Sequence, residues 1–171
     1  MERLWAPWRL DYVTGAGEAG SRDCVFCLAQ TAPAAEPLVL FRGPRCFVVL
    51  NLYPYSSGHL LVVPNRHTST LASLTREEAG DLMLLTQRAE IALTEVYRPA
   101  GLNVGLNLGR PAGAGVEEHL HVHAVPRWNG DTSFMSVIGE VRVLPEELGQ
   151  TAARLRPIFE RLDADASGLG R

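Results

Sequence analysis

Apolar residues along this 171-residue chain follow two rhythms. Leu38–Arg42, Cys46–Asn51 and His59–Pro64 are short runs rich in Val and Leu and bounded by Gly, Pro and Asn, as strands are. Leu52–Gly58 (LYPYSSG), between the last two, has the Pro, Ser and Gly of a hairpin connection. The period then lengthens. Ala79, Leu82, Leu85, Ala89, Leu93 and Val96 recur at helical spacing behind a capping box, Thr75-Arg76-Glu77-Glu78. One amphipathic helix is therefore expected over 76–97, ended by Pro99 and Gly101. Leu102–Gly109 and His119–Pro126 read as strands on either side of a glycine-rich loop, Arg110–Glu118. Pro145–Leu162 is predicted as a second helix. Strands, helix, strands, helix is the order of an α+β domain on a mostly antiparallel sheet. The expected organisation is an N-terminal arm and linker over 1–23, a catalytic domain over 24–162 with a loop at Thr31–Pro37, and a disordered tail over 163–171.

Composition narrows the chemistry. With 46% hydrophobic and 20% charged residues the chain is an ordinary globular domain, and a formal charge of −3 gives no basic footprint for nucleic acid in bulk. No apolar run approaches the ~20 residues that cross a bilayer. The first residues, MERLW, lack the apolar stretch of a signal peptide, so a cytoplasmic protein with no membrane partner is expected. All 16 basic residues are Arg. Without Lys there is no P-loop and no Schiff base, and an anionic substrate must be met by Arg, backbone N–H groups or neutral donors.

The chemistry-bearing signal is His119-Leu120-His121-Val122-His123. Alternation on a strand puts the three imidazoles on one face and Leu120, Val122 and Ala124 on the other, buried face. Such a face suits either a catalytic metal with an open position or an imidazole nucleophile oriented by its neighbours. The preceding Gly109–Gly115 stretch, able to bring backbone N–H groups to a phosphate, favours the nucleophile. Cys24-Val-Phe-Cys27 is a second signal, ambiguous between redox and metal chemistry. A zinc site needs four N or S ligands, and outside the three histidines only His59 and His67 are available to complete one. Cys46, in an apolar run, reads as core.

The run HLHVHAVPRW and the preceding Asn51…Gly58-His59-Leu60-Leu61-Val62-Val63-Pro64 resemble the histidine triad family over roughly residues 24–131. The resemblance implies a five-stranded, mostly antiparallel sheet with a long helix and a C-terminal helix, paired as a homodimer. It implies substrates in which a nucleoside is joined to phosphate. By the same resemblance His121 is the nucleophile that becomes nucleotidylated, His123 bonds near the scissile phosphate, and His119 supports the nucleophile's tautomer. Asn51 contacts the ribose and His59 lines the base pocket. From the residues themselves, Asn107 as a neutral donor, Arg110 as a charge and the loop at Gly113, Ala114 and Gly115 are expected to hold phosphate. Gly115 stands where many members carry Gln.

The arm WAPWR, the run Gly101–Gly115 and the stretch VPRWNGD resemble a bacterial subgroup of diadenosine tetraphosphate phosphorylases and hydrolases, which favours phosphate over water as acceptor. A resemblance to the zinc of galactose-1-phosphate uridylyltransferases implies structural zinc on Cys24, Cys27, His67 and His119. Two rival readings stand beside these. One is a metal-dependent phosphohydrolase with His119 and His121 as ligands; the other is a nucleotide-binding regulatory protein with little turnover.

Overall fold

The computed structural model describes residues 24–31, 37–131 and 146–168. Five strands, β1 (Val39–Arg42), β2 (Cys46–Leu50), β3 (Leu60–Pro64), β4 (Gly101–Leu106) and β5 (Val122–Arg127), form one antiparallel sheet in the order β1-β2-β3-β5-β4. Helix α1 (Val25–Thr31) precedes β1, α2 (Arg76–Tyr97) joins β3 to β4, and α3 (Leu148–Gly168) closes the described chain. The arm over 1–23 and most of the Thr31–Pro37 loop lie outside the described residues.

The central strands are buried on both faces, and alternation divides their side chains between two layers. Cys46, Val48, Leu50, Leu60, Val62, Val122 and Ala124 meet Leu82, Leu85, Ala89 and Leu93 of α2 and Leu155 and Phe159 of α3. Phe47, Val49, Leu61 and Val63 point the other way, onto Phe26 and Ala29 of α1. Helix α1 is fastened there by Arg42 Nη2 donating to the Ala29 carbonyl at 3.2 Å and Gln30 Nε2 to the Asn65 carbonyl at 2.7 Å.

Helix α2 begins where the capping box placed it. Thr75 Oγ1 accepts from the Glu78 amide at 3.2 Å while Glu78 Oε2 accepts from the Thr75 amide at 2.8 Å. Glu78 also takes a two-toothed bond from Arg66, Nε to Oε1 at 2.8 Å and Nη2 to Oε2 at 2.7 Å. The guanidinium, and after it the Thr75 amide, hold this carboxyl down at about 2.

Three sequence expectations need correction. The strand expected at His119–Pro126 pairs only from Val122. Pro64, at the end of β3, has no N–H to extend the ladder, and the Leu120 amide turns to the Thr68 carbonyl at 2.6 Å instead. The strand expected at Leu102–Gly109 ends at Leu106, paired with Val122, and Gly109 at φ 81° leads into a 3₁₀ turn at Arg110–Ala112. The disordered tail is not one over most of its length: α3 runs to Gly168, and Asp163 accepts from Arg88 Nη1 at 3.0 Å. Helical spacing past Leu162 is carried by Asp and Ala, so the apolar period gave no sign of it. Pro157 sits inside α3, and Pro145, its expected start, lies outside the described residues.

Candidate functional site

Three elements meet below the α1 layer: the segment entering β5, the hairpin between β2 and β3, and α1 itself. Leu120, Val122 and Ala124 join the helix-side core, so His119, His121 and His123 share the opposite face, as alternation required. His119 is 0% exposed and His121 5%. The backbone sets the tautomer of His121. His121 Nδ1 lies 2.8 Å from the His119 carbonyl, so it carries the proton and donates, leaving Nε2 with its lone pair. Burial holds the His121 pKa below the ordinary imidazole value, which keeps that lone pair available.

His123 is set by a longer chain. The Tyr55 amide donates to His59 Nδ1 at 3.1 Å, so the His59 proton is on Nε2. His59 Nε2 donates to His123 Nδ1 at 2.9 Å, which leaves the His123 proton on its Nε2. Burial, with His121 alongside, pushes His123 down to about 4. Asn51 Nδ2 lies 3.3 Å from His59 Nδ1 while its Oδ1 accepts from the Tyr53 amide at 3.0 Å. The ring of His121 is 4.9 Å from that of His123, and Tyr55 covers His59 at 4.5 Å. At 1% exposure His59 has no open face for a base; its neighbours make it the support of His123, which corrects its expected place in a base pocket.

The glycine loop is tighter than expected. The amides of Ala112, Gly113 and Ala114 close the turn on the carbonyls of Gly109, Arg110 and Gly109 at 3.1, 2.9 and 3.3 Å. Those of Gly113 and Ala114 are thus committed within the loop. Gly113 needs its freedom from a Cβ, with φ 95° and Asn107 beside it, whose Nδ2 donates to the Gly113 carbonyl at 3.3 Å. Arg110 reaches Glu117, Nε to Oε1 at 2.7 Å, and its amide also donates to that carboxylate at 3.2 Å.

A second cluster adjoins the first. Cys24, Cys27, His67 and His119 place one ligand atom each within 4.8 Å of one another. Cys24 Sγ is 3.2 Å and Cys27 Sγ 3.6 Å from His119 Nδ1, and Cys27 Sγ is 3.4 Å from His67 Nδ1. A tetrahedral zinc with ordinary bond lengths separates sulfur from nitrogen by ~3.6 Å, so the four atoms fit that ion. His119 Nε2 donates to the Pro64 carbonyl at 2.9 Å, the bond that turns Nδ1 toward the thiols. Two thiolates and two neutral imidazoles balance the charge of Zn²⁺ and complete its coordination. An open depression of about 510 Å³ lies beside this cluster, between the 67–73 loop and Glu117–Glu118, not over His121. The candidate reacting centre is therefore taken from the histidine geometry and not from that hollow. Cys46, 0% exposed and pushed by burial up to about 12, is inert core.

Sequence reasoning missed Phe26 and Tyr55. Phe26 had a signal in its place between the two cysteines; Tyr55 acts through its amide, which sequence does not display.

The chain is similar to known proteins in sequence and in fold. The sequence model described as HIT domain matches residues 33–130. The chain is 45% identical over 167 residues to a Mycobacterium tuberculosis protein named AP-4-A phosphorylase, covering 94% of this chain and 86% of that protein. It is 33% identical to the bis(5'-adenosyl)-triphosphatase of Dictyostelium discoideum, covering 71% and 85%. A Zn-bound histidine triad family protein from Mycobacterium smegmatis superposes with a TM-score of 0.66 at 30% identity, covering 85% of this chain and 99% of that one.

Proposed function

The chain belongs to the HIT domain family, and from that premise we propose that it cleaves dinucleoside polyphosphates through a nucleotidyl group carried on His121. The observation that carries the reading is the His121 Nδ1–H bond to the His119 carbonyl, which leaves Nε2 as a neutral nucleophile. Nε2 attacks the α-phosphorus in line. The bond from that phosphorus to the bridging oxygen breaks, and the remaining polyphosphate leaves with the electron pair. His123, neutral with its proton on Nε2, donates a hydrogen bond to the leaving oxygen and keeps the proton. An acceptor then attacks the nucleotidyl-histidine from the vacated side and restores His121. With diadenosine tetraphosphate the first half releases ATP. Phosphate as acceptor gives ADP and water gives AMP.

We favour phosphate. The Mycobacterium tuberculosis relative, which covers 94% of the chain, is named a phosphorylase, and Gly115 leaves room where many members carry Gln. Arg110, Asn107 and the Gly115 amide are the proposed phosphate donors, with Arg110 exchanging Glu117 for the anion. Asn51, beside the His59 support, is the proposed ribose contact. The test is incubation with diadenosine tetraphosphate in millimolar phosphate. ATP with ADP supports phosphorolysis; ATP with AMP, at a rate indifferent to phosphate, makes the protein a hydrolase. His121→Ala is expected to abolish turnover while the fold persists, and substantial residual kcat would remove His121 as nucleophile.

Zinc on Cys24, Cys27, His67 and His119 is proposed as structural: it would tie α1 and the 67–73 loop to the segment entering β5. Metal analysis of protein purified without added metal, beside Cys24→Ser/Cys27→Ser, tests it. The reading with His119 and His121 as catalytic metal ligands is not favoured, because His119 Nδ1 faces the cysteines and His121 Nδ1 the backbone. A second copy of the chain is proposed to pair along β4, an edge of the sheet among the described residues, whose Gly101–Leu106 run carries no charge and leaves Val104 48% exposed. A cytoplasmic location is proposed from the sequence alone.

A further inference from the structure

The His121 hydrogen bond to the His119 carbonyl fixes which nitrogen is protonated but holds the ring at one atom only. In-line attack asks for more: the Nε2 lone pair must point along the bond to phosphorus, and small misalignments are expensive in rate. A ring tethered at Nδ1 still rocks about its side-chain torsions unless something packs against its face.

Phe26 does so. Its ring centroid lies 5.0 Å from that of His121 at an interplanar angle of 47°, and 5.5 Å from that of His119 at 77°. Phe26 is itself held. It is 7% exposed, packed with Val39, Phe47, Val49, Leu61 and Val63, on a helix fastened by Arg42 and Gln30. His123, with its ring 4.9 Å away, confines the imidazole further. An aromatic ring with so little freedom is a rigid stop.

We infer that Phe26 is a positioning residue for the nucleophile, holding the His121 imidazole in the orientation from which Nε2 attacks. The inference rests on the proposed role of His121. It also gives a reason for an aromatic inside the cysteine pair: the helix that presents Cys27 to the metal cluster presents Phe26 to the reacting ring. Phe26 acts through His121 and forms no bond with substrate.

The test compares wild type with Phe26→Ala, Phe26→Leu and Phe26→Tyr, each checked for fold by circular dichroism and for metal content. The rate of nucleotidyl-enzyme formation from diadenosine tetraphosphate, kcat and KM are measured, with the His121 ring proton resonances by NMR. Expected for Phe26→Ala is a fall of about 10- to 100-fold in the adduct-forming rate and in kcat, with KM within about twofold. Phe26→Tyr, which keeps the ring, is expected to restore most of the rate, with Phe26→Leu between. An unchanged rate in Phe26→Ala overturns the inference, as does a raised KM at unchanged kcat, which would make Phe26 a substrate contact. If Phe26→Ala does not fold, Phe26→Leu and Phe26→Tyr decide it by the same criteria. A wild-type protein that forms no adduct defeats the role of His121 instead. The ring contact is then judged by NMR: His121 resonances that move in Phe26→Leu keep the confinement, and resonances that stay overturn it.

Discussion

The ring proton of His123 is placed by a backbone amide that never touches it. Tyr55 N–H fills His59 Nδ1, His59 Nε2–H fills His123 Nδ1, and the His123 proton ends on Nε2, where it can donate a hydrogen bond to a leaving oxygen. His59→Ala removes the middle of this chain and lets His123 choose the other tautomer. A fall in kcat of roughly 10- to 100-fold with KM little changed is expected, at or below the cost of losing one preorganised hydrogen-bond donor. Steady-state kinetics check it, and unchanged kcat would sever the chain from catalysis. Titration follows from the same burial. His123 is held at about 4 in the folded protein, below the ~6.5 of an unfolded chain. Between those values the unfolded state binds the extra proton, so this group's contribution to stability is complete above the upper value and lost as pH falls toward the lower. Denaturant midpoints should decline from pH ~6.5 to ~4, and His123→Gln should reduce that slope. A slope unaffected by the substitution would assign it to other groups.

At the scale of elements, the capping box carries two duties. Thr75→Ala removes the acceptor for the Glu78 amide and is expected to destabilise the protein by about 1 kcal/mol. A denaturation midpoint equal to that of wild type would show the cap to be redundant. Glu78 does more than cap, since its carboxylate holds Arg66, next to His67. The bounds of α2 were legible because box, period and Pro99 agreed. The strands of the sheet core were legible for a similar reason: Cys46–Leu50 and Leu60–Pro64 are buried on both faces and so read as unbroken apolar runs. The approach to β5 was not. His119–Val122 alternates as a strand does, but Pro64 ends the neighbour's ladder, and pairing depends on the partner. The shared face of the three histidines was readable from alternation. The bonds that fix their tautomers were not, because they end on carbonyls and amides, which every residue carries. Helix α1 was hidden by its length of seven residues, too short for a period, and its place is set by docking.

For the whole molecule, α2 and α3 cover one face of the sheet and α1 part of the other, while among the described residues β4 has a neighbour on one side only. Among the described residues no helix is long and apolar enough to cross a membrane. Val104→Lys places a charge on that edge, the device by which edge strands are kept apart. A wild-type dimer by light scattering that becomes a monomer in this variant is the expected outcome. A monomeric wild type, or a dimer indifferent to Val104→Lys, would move the interface elsewhere or remove it. The four ligand atoms of the cysteine–histidine cluster come from positions 24, 27, 67 and 119, and this has a consequence for how the chain assembles. No local turn brings them together. The cluster exists only after β3 and β5 have paired and α1 has docked across them, so the chain closes its longest loops before the ion gains a full set of donors. For the zinc proposed above, capture is then a late event, a latch on a sheet already built. In hydrogen exchange, a chelated sample should lose protection first in α1 and in the 66–70 loop, with β2 and β3 still slow. Uniform loss across the sheet would mean that the ion is needed from the start.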